Sequence, residues 1–138
     1  MAIDVQPVRT TADRNAFIEL PWRLYKNDPL WVPPLRFDLK HKLDPKKNPF
    51  FLHADAEMFL ARRGKDVVGR ITAQIDREHL RLHQDDAGFF GFFECEDDPE
   101  IAAALLGVAE KWLKARQMKK VRGPFSWNIN DEIGLLIE

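Results

Sequence analysis

The spacing of apolar residues changes period several times along the chain, and each change marks an element. "IDVQPV", residues 3–8, alternates apolar and polar positions and predicts a short first strand. At "TTAD" the period lengthens, with Thr10 placed to cap a helix and Asp13 three residues on as its capping-box partner. Ala12, Ala16 and Leu20, flanked by Phe17 and Leu24, keep helical spacing up to Pro21, whose missing N–H predicts a break. The piece from Trp22 to about Tyr25 is then left for a second short helix.

Two apolar runs in "AEMFLARRGKDVVGRITAQID" flank "RRGKD", where Gly64 can take the positive φ of a tight hairpin. The second of these strands, about 67–75, sets Val68, Arg70 and Thr72 against Val67, Gly69, Ile71, Ala73 and Ile75, which predicts one buried face. "REHLRLHQDD" reads as a short helix or a loop. "GFFGFFECE" is apolar on both faces, as a central strand is. "PEIAAALLGVAEKWLKARQM" predicts an amphipathic helix with Ile101, Leu105, Val108 and Trp112 on one stripe. "KKVRGPF" supplies a last strand, stopped by Gly123-Pro124.

This order predicts an α/β (α+β) domain over residues 1–138, with a mixed, mainly antiparallel sheet flanked by helices. A strand, a crossing helix and another strand at the end predict one parallel pair. The segment 21–52 stands apart: residues 21–49 hold six of the nine prolines. "LRFDLKHKL" within it can form a short helix, and Trp31, Val32, Leu35, Phe37, Phe50 and Phe51 are expected to anchor it. Long crossings of this type are often functional, the plainer alternative being a lid over the core.

Composition narrows the classes. Apolar residues make up 45% of the 138 and aromatics 11%, enough for one core. No apolar run approaches the roughly 20 residues that cross a bilayer, and the N-terminus lacks a secretory signal. Cys95 is a lone cysteine, which excludes an internal disulfide. A cytoplasmic protein with no membrane partner is expected. With 21 basic against 22 acidic residues there is no basic excess for a duplex. The densest basic group, Lys111, Lys114, Arg116, Lys119, Lys120 and Arg122, complements the end of a helix dipole. Nucleic acid is therefore excluded as a partner.

The hairpin "FLARRGKDVVGRITAQID", the strand "GFFGFFECE" and the helix "IAAALLGVAEKWLKARQMKKVRGP" resemble the core of the GNAT superfamily of N-acetyltransferases. "LPWRLYKNDPLWVPPL", "NPFFLHADAEMFLA" and "RGPFSWNINDEIGLLIE" resemble a narrower bacterial GNAT-like group, to which the resemblance attaches no substrate. It implies that the chain corresponds to the N-terminal portion of such a domain, lacking the C-terminal helix and strands. It further implies an acyl transfer from acetyl-CoA to a small-molecule or peptide amine. The pantetheine would pair with the strand edge at Phe93, Glu94 and Cys95, and the pyrophosphate would lie at Asp97 and Asp98, where the following helix begins. The missing part, or a second copy in a homodimer, would complete the sheet.

At that helix start the sequence departs from the superfamily's glycine-rich loop and reads "EDDPEI". Asp98 is a good N-cap and Pro99 a good first helical residue, so the orphan N–H groups are served by the chain itself. Acids also occupy the positive dipole end that a phosphate uses. This favours an alternative function, a GNAT-shaped binding or assembly module that has lost its donor site.

Glu94 and Glu96 alternate to one face of the central strand, and either can take a proton from an ammonium, directly or through water. A hydrolase using the same pair ranks below both other readings. In "FSWNINDEIG", Asn128, Asn130 and Asp131 can hold a polar acceptor beside Trp127, or Asn130 and Asp131 can simply cap a helix. His79 and His83, four apart and near Asp76, have a metal-ligand spacing but fit a solvated polar face better, so no metal is expected. Cys95 among carboxylates is expected to be a packed residue rather than a nucleophile.

Overall fold

The structure, a computed structural model, describes residues 2–128. Its order is β1 (Ile3–Pro7), α1 (Thr11–Leu24), α2 (Arg36–Leu43), a 3-10 turn (Pro49–Leu52), β2 (Ala54–Arg63), β3 (Asp66–Asp76), α3 (Arg77–His83), β4 (Ala87–Cys95), α4 (Pro99–Lys114) and β5 (Lys120–Phe125). The five strands form one sheet in sequence order. The first three pairings are antiparallel and β4–β5 is parallel, because α4 carries the chain back across the sheet. Gly64, at φ 64°, turns the β2–β3 hairpin.

Helices cover both faces. Ile101, Leu105, Ala109 and Leu113 of α4, four apart, pack on Phe59, Ile71, Ala73 and Ile75. The buried stripe thus runs one residue off the predicted one: Val108 and Trp112 lie at its edge. On the other face Phe17 and Ile18 of α1 meet Leu39 and Leu43 of α2, Phe50, Phe92 and Trp127. β3 is consequently buried on both sides, including Arg70, Thr72 and Gln74, where alternation predicted one buried face. The polar residues of that strand face a second helical layer, which strand periodicity cannot reveal.

Pro21 does not break α1, which runs unbroken from Thr11 to Leu24. Proline at 21 leaves the carbonyl of Phe17 without its helical N–H partner. The Arg70 guanidinium donates to that carbonyl at 2.7 Å and so replaces the missing bond. β5 likewise runs through Gly123 and Pro124 to Phe125 instead of stopping there; as the last strand along the sheet it tolerates a residue without a donor. In the crossing segment, Trp31 and Phe50 are anchors as expected. Trp31 lies against Trp22 and Tyr25, with centroids 5.5 Å away in each case. Val32, Leu35 and Phe37 are not anchors, since all three remain largely exposed.

Candidate functional site

The site begins with a fault in β4. Arg70 pairs with Glu94 and Thr72 with Gly91, so two steps of β3 oppose three of β4. The extra residue is a β-bulge, with Phe92 at φ 49°, a conformation that costs a side-chain-bearing residue energy. The bulge resets alternation. Phe90, Phe93 and Cys95 pack toward α4, while Phe92 and Glu94 turn toward α1. The displaced Phe92 carbonyl accepts from Arg70 Nε at 2.9 Å. One buried cation therefore ties the bulge to α1 by satisfying a carbonyl on each.

Glu94 faces a cavity of about 440 Å³. Pro33, Pro34, Leu35, Leu39 and Phe92 form its apolar wall, and Asp38, Arg70 and Glu94 are among its polar groups. The Tyr25 hydroxyl, at the end of α1, donates a hydrogen bond to Glu94. Burial, then Glu94 itself, raises the Tyr25 pKa far above the ordinary phenol value, so the hydroxyl stays a donor. Burial pulls Arg70 down to about 10, offset by Glu94 and Tyr25, and it remains a cation at neutral pH. Glu96, just beyond β4, points to the same α1 end but is ion-paired with Arg23 Nη1 at 2.9 Å. Arg23 also donates to the Val67 carbonyl.

β4 and β5 part next to Glu94. Their pairing runs only to Gly91 and Phe125. Gly91 is required there, because a Cβ would collide with the Ser126 carbonyl as the chain swings across. Gln74 Nε2 holds that swing by donating to the carbonyls of Ser126 and Trp127 at 2.8 and 3.0 Å. Trp127 is then buried against Phe50, with its indole donating to the Lys42 carbonyl at 2.8 Å. Among the described residues no strand pairs with Phe92–Cys95 on the β5 side.

At the start of α4 the geometry is different. Asp98 accepts from the Glu100 N–H at 2.9 Å and from Arg63 at 2.8 Å. The hydrogen bond from Arg63 holds its carboxyl below the usual range. Glu96 N–H donates to Val68. Among the described residues, the unpaired Phe92–Cys95 backbone has the donors and acceptors a pantetheine arm would use, while the helix start, filled by a carboxylate, does not fit a pyrophosphate.

Other sequence candidates sort themselves by contact. Burial, then the neighbouring carboxylates, raises the Cys95 thiol above its ordinary value. His79 is half-buried rather than solvated; it faces Asp85 at 3.0 Å and stacks near His83 at 4.5 Å. Asp76 belongs elsewhere, 2.7 Å from His53. Asn130 and Asp131 lie outside the described residues. Tyr25, Arg23 and Arg70 were not singled out from the sequence. Only the coincidence of Pro21 with an arginine in an apolar strand hinted at Arg70.

A mixed sheet with a bulged β4, a β4–β5 wedge and helices on both faces is the fold of the GNAT acetyltransferases. An acetyltransferase of the GNAT family from Staphylococcus aureus Mu50 matches with TM-score 0.60 at 15% identity, covering 87% of this chain and 71% of that one. A Clostridium acetobutylicum protein described as a predicted acetyltransferase and solved with acetyl-CoA matches with TM-score 0.63 at 12% identity, over 87% and 79%. An aminoglycoside acetyltransferase from a soil metagenome, in complex with sisomicin, gives TM-score 0.59 at 10% identity, over 87% and 75%.

Among curated proteins the chain is 46% identical over 134 residues to protein YghO of Escherichia coli K12, covering 95% of this chain and 34% of that protein. It is 45% identical over 140 residues to the bacterial ceramide synthase of Caulobacter vibrioides, covering 98% and 35%. The chain therefore spans about a third of the length of these relatives. No family profile matches it.

Proposed function

We propose that this chain carries the reacting centre of an N-acyltransferase, which moves an acyl group from coenzyme A to an amine. The observation that carries the reading is Glu94, turned by the bulge into the pocket beside the β4 edge. Glu94 takes a proton from the bound ammonium. The amine nitrogen then attacks the thioester carbonyl and forms the C–N bond, the C–S bond breaks, and the departing thiolate takes up the second proton that the nitrogen loses. Tyr25 is a positioning residue: its hydroxyl fixes the Glu94 carboxylate. Phe93, Glu94 and Cys95 offer the donor arm their backbone. The ceramide named for the Caulobacter relative is an amide of a long-chain amine, and the wall of Pro33, Pro34, Leu35, Leu39 and Phe92 suits an acceptor with an apolar chain.

The test is release of free thiol from a long-chain acyl-CoA in the presence of a long-chain amine. Turnover that falls about 10²–10⁴-fold in Glu94→Gln is expected, the usual span for loss of a general base. Equal rates in the two proteins would remove Glu94 from the reaction.

A second reading, a module for binding or assembly without a donor site, is favoured by Asp98 at the helix start. It expects acetyl-CoA at roughly millimolar concentration to shift neither the melting temperature nor the amide signals of Phe93–Asp98. Saturable shifts at Phe93–Cys95 would dismiss it.

A further inference from the structure

Four large apolar side chains within eight residues stand in water: Leu30, Val32, Leu35 and Phe37 are 86%, 84%, 69% and 77% exposed. Leu52, on the 3-10 turn, is 83% exposed. Single exposed apolar residues are ordinary, but four within one short segment make a cluster. Val32 and Leu35 border the Glu94 pocket, which shares Asp38 and Lys42 with a neighbouring hollow lined by Phe37. That hollow shares Asn48 with a third, lined by Leu52. Beneath the lip the backbone is firmly seated, with Trp31 packed on Trp22 and Tyr25.

The rim is basic. Residues 26–47 hold six lysines and arginines against three aspartates, in a chain whose net charge is −1. Lys26, Lys40, Lys46 and Lys47 are all exposed. Two of the aspartates are occupied locally, Asp28 accepting from the Leu30 N–H and Asp44 from the Lys46 N–H, each at 2.9 Å. Arg36 is paired with Glu19. A segment that carries exposed apolar tips and exposed lysines together is complementary to one surface in particular, an anionic bilayer, whose acyl boundary takes the former and whose phosphates meet the latter.

We propose that this face seats on the surface of an anionic membrane, with Leu30, Val32, Leu35, Phe37 and Leu52 entering the headgroup layer. The mouth of the Glu94 pocket, bordered by the same lip, then opens toward the lipid. The sequence-based expectation of no membrane partner rested on the lack of a spanning segment. Among the described residues no helix is long and apolar enough to cross. A surface seat needs none. This inference stands apart from the catalytic reading, since its test involves no turnover.

The test is co-sedimentation of the full-length chain with vesicles of phosphatidylcholine alone or with about 30% phosphatidylglycerol. Partition at least about tenfold stronger onto the anionic vesicles is expected, and it should weaken in about 0.5 M salt. The variant Leu30→Ser, Phe37→Ser, Leu52→Ser should lose about tenfold or more of that binding while keeping its far-UV circular dichroism. Protein that stays in the supernatant with both vesicle types would overturn the proposal. So would binding indifferent to charge and salt. A dimer that the triple variant dissolves, without vesicle binding, would reassign the face to a second copy.

Discussion

Arg70 and Glu94 hold this molecule's chemistry together at the scale of single residues. Arg70 is 6% exposed and spends its guanidinium on the carbonyls of Phe17 and Phe92. Arg70→Ala leaves two buried acceptors unpaired, at about 1–3 kcal/mol each. Urea unfolding should therefore show a loss of about 3 kcal/mol or more. Pro21→Ala restores an N–H opposite Phe17, so the double variant should recover part of that loss. Simple additivity of the two changes would refute the account given for α1. Tyr25→Phe removes the only hydroxyl seen on Glu94 among the described residues. It should lower turnover and cost no more than about 1–3 kcal/mol of stability, and a loss of folding instead would make the tyrosine purely structural.

At the scale of elements, the β4–β5 wedge depends on one glycine and one capped helix. Gly91→Ala sets a methyl group into the Ser126 carbonyl, a backbone atom that cannot step aside. A loss of about 1–3 kcal/mol or more is expected, with a change in the fluorescence of Trp127 as its burial is disturbed. An unchanged urea midpoint would mean that the strands part elsewhere. At the start of α4, replacing Asp97 and Asp98 together by glycine removes the cap and the Arg63 contact. Stability should fall while acyl-CoA affinity, read by calorimetry, is preserved or raised, because two negative charges leave a positive helix end. Weaker acyl-CoA binding in that variant would show that the acids assist the donor.

The whole molecule is pinned by carboxylates at its surface. The Arg9 backbone N–H lowers the pKa of Asp13, Arg36 that of Glu19, and Arg63 that of Asp98. Their folded values lie below the unfolded ones, near 4. The stability they contribute is therefore complete above that range and lost as pH falls through the lowered folded values. Urea midpoints should hold between about pH 5 and 8 and drop toward pH 3; a flat profile would mean that these contacts are screened to nothing. Tyr25 acts at the other end: its raised value is a contribution present below about 10 and lost as pH climbs further.

Local rules were enough for much of this. Periodicity placed the hairpin at Gly64, the amphipathic α4 and the final parallel strand, because each follows from a repeat of two or 3.6 residues within one segment. "EDDPE" announced its own helix cap for the same reason, since a cap is a contact between near neighbours. The sequence by itself thus determined the order of elements, the GNAT-like topology and the presence of Glu94 on a strand inside the sheet. It could not determine where Glu94 points. Strict alternation from Phe90, which faces α4, puts Glu94 on the α4 side; the bulge at Phe92 puts it on the other. That bulge is fixed by Arg70 reaching from β3, so its cause lies 22 residues away. The continuity of α1 across Pro21 and the exposure of Val32, Leu35 and Phe37 were decided in the same way. Each depends on which distant group satisfies a carbonyl or covers a side chain, and only the packed chain brings those groups together.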